Sequence, residues 1–345
     1  LFFGVTRKSL KEGAIMNFRL ISIIIPSFNE ASNIELIYEA LVKEFVGVNY
    51  DYEILFINDG STDDTLLRIK KLVLRTQKVK YISFTRNFGK ELALLAGFQH
   101  VKGEAVIVMD ADLQHPCALI HSFINGFEEG YHQVIAQRNR KGDSRFRSFI
   151  SSLYYCIINK VVDVELRDGC GDFRLLSRKA VDALLMLNEG NRFSKGLFSW
   201  IGFNQKIIYY ENVPRQNGKT KWSFTKLLNY GIDGVVSFNN RPLRICFYTG
   251  AFILLLSLVY IFINLFLIIR NGIAEPGYFT TISSILFLGG IQLLCLGVIG
   301  EYIGRIYYET KNRPHYLIEE TNIKSGECYE GNRPRVYKIH RSGDY

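Results

Sequence analysis

Residues 106–116 read VIVMDADLQHP. Four apolar residues run straight into Asp110 and Asp112, with Gln114 and His115 close behind. A continuous apolar run ended by turn residues is what a strand buried on both faces of a parallel sheet looks like. Its tip carries a conflict. Two carboxylates at i and i+2 can face the same way where the strand gives out, and without a counter-charge one has its pKa raised. A hard divalent cation removes the conflict, since carboxylates supplemented by phosphate oxygens are how Mg²⁺ or Mn²⁺ is usually held. A solvated acidic turn is the plain alternative, so the surroundings decide.

Upstream, Leu20 to Ile25 is an apolar run halted by Pro26, and Ser27-Phe28-Asn29-Glu30 leads into a helix with Ser32 or Asn33 as N-cap. Glu53 to Ile57 is a second strand, followed by Asn58-Asp59-Gly60-Ser61 and a helix from about Asp63 to Leu74. Lys80 to Phe84 is a third strand, Glu91 to His100 a third helix, and Ala105 to Met109 the fourth strand. Strict alternation predicts a parallel sheet with helices on both faces. Ligands of such sheets bind beyond the carboxyl ends of the strands. Pro26–Glu30, Asp59–Ser61, Arg86–Lys90 and Asp110–Gln114 should therefore converge on one crevice. A metal there would neutralise a diphosphate leaving group. Neither G-x-G-x-x-G nor G-x-x-x-x-G-K-[ST] occurs, so a dinucleotide fold and a P-loop are both unsupported.

After Arg244 the composition changes. Ile245 to Ile269 is 25 residues without a charge, and Tyr278 to Gly300 is another 23. Each exceeds the roughly 20 residues that cross a bilayer core, which predicts a transmembrane hairpin with spans at about 245–269 and 278–300. Arg241 and Arg244 precede the first span, and Arg305, Lys311 and Arg313 follow the second, which places both ends in the cytoplasm. Residues 215–238 mix lysines with Trp222, Phe224 and Leu227, as interfacial helices lying on a membrane do. Gly289, Gly290, Gly297, Gly300 and Gly304 allow close packing, within the hairpin or in a homo-oligomer.

The net charge of +9 is accounted for by residues 138–147, residues 211–226, and Arg241 with Arg244. Charge gathered in loops that lead to a membrane points to anionic headgroups or a phosphate-bearing lipid and away from nucleic acid. In residues 138–147 (RNRKGDSRFR), Arg138, Arg145 and Arg147 offer forked donors to a phosphate. The six cysteines show no C-x-x-C spacing, which suits a reducing compartment. Residues 1–15 have no apolar core, so no cleavable signal peptide is expected there.

SIIIPSFNE (22–30), INDGSTDDT (57–65), RNFGKELALLAGF (86–98), VIVMDADLQHP (106–116) and GDFRLLSR (171–178), followed by a basic segment and two spans, together resemble the polyprenyl-phosphate glycosyltransferases of glycosyltransferase family 2. Within that group the chain is most similar to bacterial undecaprenyl-phosphate (bactoprenol) glucosyltransferases, relatives of the dolichol-phosphate mannose synthases. The resemblance implies a GT-A type, Rossmann-like and mostly parallel α/β sheet, then amphipathic interfacial helices and a two-helix hairpin. It implies a poorly ordered extension (1–17), a cytoplasmic catalytic domain (18–214), interfacial helices (215–243), the hairpin (244–304) and a C-terminal tail (305–345), of which residues 316–345 are assigned no structure or role. Its expected partners are a nucleotide-sugar donor, a polyprenyl phosphate acceptor and the lipid bilayer, with Mg²⁺ or Mn²⁺ as cofactor, at the bacterial inner membrane.

Residue by residue, the resemblance gives Asp110 and Asp112 the metal and the diphosphate, and Gln114 a further metal contact. It gives Asp59 the nucleobase, and Pro26, Phe28 and Glu30 the loop beside base and ribose. Arg86 and Lys90 are expected at the nucleotide sugar. Arg138 falls near the phosphates, with Arg145 and Arg147 on the acceptor phosphate. Asp172 matches an aspartate proposed as catalytic base. Where the family often reads proline-valine-aspartate-threonine before GDFRL, this chain has Leu166-Arg167-Asp168-Gly169-Cys170, which leaves the role of Asp168 open.

The implied reaction is a single displacement by a phosphate oxygen at the anomeric carbon, inverting the configuration. A phosphate monoester, with a second pKa of about 6, is mostly ionised at neutral pH, so Asp172 is expected mainly to orient the sugar or Arg174. Glucose from UDP-glucose is the expected donor, with GDP-mannose or UDP-GlcNAc as alternatives, and the product would serve cell-envelope glycan or O-antigen modification. A processive polysaccharide synthase would need Q-x-x-R-W, which is missing. A non-catalytic scaffold would not need the intact motifs.

Overall fold

The apolar runs become the centre of an eight-stranded sheet. The computed structural model describes residues 19–139, 169–211 and 277–324 apart from 188, 191 and 312, with a scatter of positions between 248 and 270. Its strands are β1 (Leu20–Ser27), β2 (Asp51–Asn58), β3 (Val79–Phe84), β4 (Ala105–Val108), β5 (Gln133–Asn139), β6 (Cys170–Ser177), β7 (Gln205–Glu211) and β8 (Ile318–Thr321). The helices are α1 (Ile34–Glu44), α2 (Thr65–Arg75), α3 (Lys90–His100), α4 (Leu119–Glu128), α5 (Arg178–Leu185), α6 (Ser194–Trp200) and α7 (Tyr278–Thr310).

Spatial order is β7-β5-β6-β4-β1-β2-β3-β8. β1 pairs in parallel with both β2 and β4, β2 with β3, and β5 with β7. The chain steps outward from β1 to β3 and then returns to the other side of β1, so the order reverses between β1 and β4. That reversal opens a crevice at the strands' carboxyl ends. Successive residues of β1 serve opposite faces. Ile21, Ile23 and Ile25 pack with α1, α2 and α4, whereas Ile24 packs with α3, α5 and α6. Both faces are dry, as an unbroken apolar strand requires.

Strict parallel alternation does not hold throughout. β6 runs antiparallel between β4 and β5, so the strand carrying Asp172 starts where β4 ends. The tail left without structure also contributes. β8 pairs antiparallel with β3, and Tyr316, Ile318 and Ile323 are buried in the core. Asn33 is the N-cap of α1, but its side chain makes no cap bond and donates from Nδ2 to Glu30 Oε2 at 2.7 Å.

Among the described residues one helix is long and apolar enough to cross a membrane, Phe287–Thr310. It belongs to α7, whose 33 residues continue past the expected span end at Gly300. At 1.5 Å per residue α7 is about 50 Å long, more than the roughly 30 Å hydrocarbon core. Its last turn meets the segment between α5 and α6, where Glu309 Oε1 accepts the Gly190 N–H at 2.7 Å. The described positions from 248 to 270 are also helical. Phe252, Phe262, Ile285, Phe287 and Leu293 present large apolar surface on these helices. The interfacial segment 215–243, the link 271–276, and the extension 1–17 lie outside the described residues.

Candidate active site

The loops after β1 and β2 are stitched together. Asp59 N–H donates to the Ser27 carbonyl at 2.9 Å, Asn29 N–H to Ser61 Oγ at 3.0 Å, and Thr62 N–H to Asn29 Oδ1 at 2.8 Å. Asn29 adopts φ 53 to do this, and Leu113, in the turn after β4, adopts φ 58. These are the only non-glycine residues with positive φ among those described, and they flank the reversal point. A left-handed leucine costs roughly 1–2 kcal/mol, the kind of strain that surrounding structure must over-determine and that gathers at functional sites.

The loop after β3 is shaped from beneath. Asp59 is buried, and its carboxylate accepts the N–H groups of Phe88 at 2.7 Å and Gly89 at 3.0 Å. Burial raises its pKa, opposed by those two donors and by Arg86. Gly60 has φ 63, and a Cβ there would lie 2.3 Å from the Arg86 carbonyl carbon, so only glycine lets the loop settle. The consequence is a fixed starting point for α3, whose first residue is Lys90.

Lys90 completes the centre. Its Nζ lies 2.6 Å from Asp110 Oδ1 and 2.7 Å from Asp172 Oδ2. The β4–β6 pairing ends with Val108 opposite Arg174, and just beyond it Lys90 bridges Asp110 and Asp172. Two carboxylates drawn this close to one ammonium repel each other; the lysine between them reverses the sign. Leaving water disfavours the ammonium, yet Asp110 and Asp172 outweigh this and raise its pKa. Burial would favour a neutral Asp172, but Lys90, Lys195 and Arg174 hold it well below the usual carboxylate range. Lys90 thus supplies a counter-charge to Asp110, one of the two carboxylates at the tip of β4.

The walls come from Glu91, Phe198 and Tyr210, which sequence reasoning passed over, and from Arg174 and His115, which it named. Beside Lys90, Glu91 Oε2 accepts the Ser194 N–H at 2.9 Å and the Ser194 hydroxyl. Burial, then the Asp172 charge, push the Glu91 carboxyl up to about 7. Buried Arg174 donates to the Gly171 carbonyl at 2.7 Å and lies 3.9 Å over the Phe198 ring. Burial lowers its guanidinium to about 10, with Asp172 opposing. His115 stacks on Phe173 at 4.6 Å and meets Tyr210 edge-on, so it is a wall residue with a pKa lowered by burial. The signal for Glu91 was adjacency to Lys90; for Tyr210 and Phe198 no local signal existed.

Of the residues singled out from sequence, Lys90, Asp110 and Asp172 are in direct contact. Asp112 is buried and accepts the Gln114 main-chain N–H at 3.2 Å. Arg138, near the end of β5, sits in register with Tyr210, and its N–H donates to the Gly169 carbonyl at 3.0 Å. Pro26 closes β1 opposite Ile57 and Phe28 follows in the stitched loop, while the Glu30 carboxylate is engaged by Asn33. Exposed Arg86 lies over Phe88 at 4.1 Å. Asp59 faces the β3–α3 loop. Arg145, Arg147 and Asp168 lie outside the described residues.

The donor set suits a hard cation. Asp110, Asp112 and Gln114 offer oxygen, an ammonium already sits on Asp110, and buried Asp172 Oδ1 has no hydrogen-bond partner among the described residues. No three His, Cys, Asp or Glu side chains converge as a metal cage among those residues.

Residues 22–185 match the model for glycosyl transferase family 2, and residues 241–306 match the GtrB C-terminal hairpin. A putative glycosyltransferase, CsbB, of Bacillus subtilis (strain 168) is 68% identical over 93% of this chain and 99% of its own. An uncharacterized glycosyltransferase, sll0501, of Synechocystis sp. is 42% identical over 87% of this chain and 95% of its own. The bactoprenol glucosyl transferase of Shigella phage SfX is 42% identical over 87% and 98% respectively.

Proposed function

The chain belongs to glycosyltransferase family 2, and from that premise we propose that it transfers glucose from UDP-glucose to undecaprenyl phosphate. The transfer takes place at the cytoplasmic face of the bacterial inner membrane and inverts the anomeric carbon. The bactoprenol glucosyl transferase relatives and the GtrB hairpin support the acceptor class and membrane association. The exposed apolar surface of α7 supports an enzyme held at the lipid that carries its acceptor.

One observation carries the mechanism: Lys90 Nζ lies 2.7 Å from Asp172 Oδ2, a contact that favours the ionised carboxylate. A carboxylate with a depressed pKa is a poor general base. A lipid phosphate needs none, being mostly ionised above a pKa of about 6. Asp172 instead orients the sugar, its Oδ1, which has no hydrogen-bond partner among the described residues, accepting a sugar hydroxyl. Arg138, with Arg145 and Arg147, holds the acceptor phosphate. Mg²⁺ or Mn²⁺ on Asp110 and Asp112, with Gln114 beside them, would neutralise the charge developing on the departing UDP. Pro26, Phe28 and Glu30 bound the nucleotide's end of the crevice, and Arg86 lies at its rim.

The test is transfer by the purified full-length protein, offered radiolabelled UDP-glucose, GDP-mannose or UDP-GlcNAc with undecaprenyl phosphate, with and without Mg²⁺. Metal-dependent label in the organic phase is expected from UDP-glucose above the others. Preference for another donor would reassign the sugar, and label from none would refute the reading.

A further inference from the structure

Lys90 touches two carboxylates that the proposed reaction uses differently. Asp110 belongs to the metal and diphosphate, Asp172 to the sugar, and one ammonium joins them at 2.6 and 2.7 Å. We propose that Lys90 is the site's resident counter-cation, which the divalent metal must displace from Asp110. This rests on the metal reading above.

The argument is geometric. Asp110 and Asp172 both lie within 2.7 Å of the same Lys90 Nζ, so without a cation between them the two carboxylates repel. Lys90 supplies that cation before any metal binds. Once a divalent ion sits on Asp110, an ammonium on the same carboxylate meets a second positive charge at close range, which is strongly unfavourable. The lysine has room to retreat. Its side chain is 39% exposed, whereas that of Asp172 is only 14% exposed, so its second partner is fixed in place. Its backbone is fixed as well, because Asp59 binds the two N–H groups immediately before it. A four-carbon stem on an anchored Cα can release Asp110 while keeping Asp172. The exchange links arrival of the metal-bound donor to freeing of the diphosphate-side carboxylate, while Asp172 stays ionised.

The experiment is nucleotide-free Mn²⁺ binding to the full chain in detergent, read from the paramagnetic resonance signal of free Mn²⁺. Lys90→Met should bind Mn²⁺ more tightly than wild type. The gain expected is about one to three decades, the range over which a nearby charge shifts a carboxylate's affinity for a proton. Lys90→Arg, which keeps the charge, should stay near wild type. Unchanged or weaker binding by Lys90→Met would overturn the proposal. If Lys90→Met is unstable without metal, thermal unfolding decides: Mn²⁺ must stabilise it more than it stabilises wild type, and equal stabilisation overturns the proposal. Wild-type protein that binds no Mn²⁺ even with UDP-glucose would sink the metal reading and this inference with it. Failure confined to the Lys90→Met comparison sinks the inference alone.

Discussion

The Asp59 carboxylate grips Gly89, one oxygen accepting its N–H at 3.0 Å while the other accepts that of Phe88 at 2.7 Å. An acidic residue at the end of one strand thereby sets the loop that delivers Lys90 to Asp110. In Asp59→Asn one acceptor becomes a donor, and a buried N–H loses its partner at a cost of about 1–3 kcal/mol. A lower Tm and faster amide exchange at residues 88 and 89 are expected. Unchanged exchange there would show that the carboxylate is dispensable for the loop.

Asp172 is held ionised by Lys90, and its proposed work is orientation. Asp172→Asn should slow transfer by about a hundredfold, the scale of a misplaced substrate. The loss should be the same at every pH from 6 to 9. A rate profile in which alkaline pH restores the variant would identify Asp172 as a base and contradict that role.

Glu91 gives stability a pH dependence of definite sign. Its folded pKa of about 7 is raised from 4.5 by burial first and the Asp172 charge second. The folded protein therefore holds this proton more tightly than the unfolded chain. The stabilisation is complete below the unfolded value and is lost as pH rises through about 7. Glu91→Gln mimics the protonated state and should flatten the fall of Tm between these limits. A variant with the wild-type slope would show that Glu91 is not the titrating group.

Tyr316 ties the segment after α7 to the sheet, stacking on Phe84 at 4.9 Å and donating its hydroxyl to Gln99. Thr85 N–H donates to the Leu317 carbonyl at 3.1 Å, just before the loop that ends at Lys90. Tyr316→Ala should cost about 3 kcal/mol, as deletion of a buried aromatic does. Exchange should rise at residues 84–86 together with 318–321. Rise at 318–321 alone would mean that β8 does not support the crevice.

The core of the sheet was open to reading because Leu20–Ile25, Ile54–Ile57 and Val106–Met109 are almost wholly apolar runs, interrupted only by Ser22 and each ended by turn residues. The rule for strand ends then places their loops in one crevice, and the contacts among Asn29, Ser61, Asp59, Gly89, Lys90 and Asp110 lie there. β6 was harder. Cys170–Ser177 carries Asp172 and Arg174 into the sheet, and these charges are tolerable only through Lys90 and the Phe198 ring, partners distant in sequence. β8 has four residues, too few for a period, and its partner β3 lies at the other end of the chain. Lys90 reads as one more basic residue until the fold brings Asp110 and Asp172 to its ammonium. Asp59, which the resemblance assigns to a nucleobase, also accepts main-chain N–H groups of the β3–α3 loop, a contact no local pattern announces.

The central claim is that a lipid phosphate attacks the sugar. Its most direct test compares undecaprenyl phosphate, undecaprenol and water as acceptors of radiolabelled glucose from UDP-glucose, using one enzyme preparation. Label should enter the organic phase only with the phosphate, as a β-linked product. Transfer to undecaprenol at a comparable rate, or an α-linked product, would contradict the account.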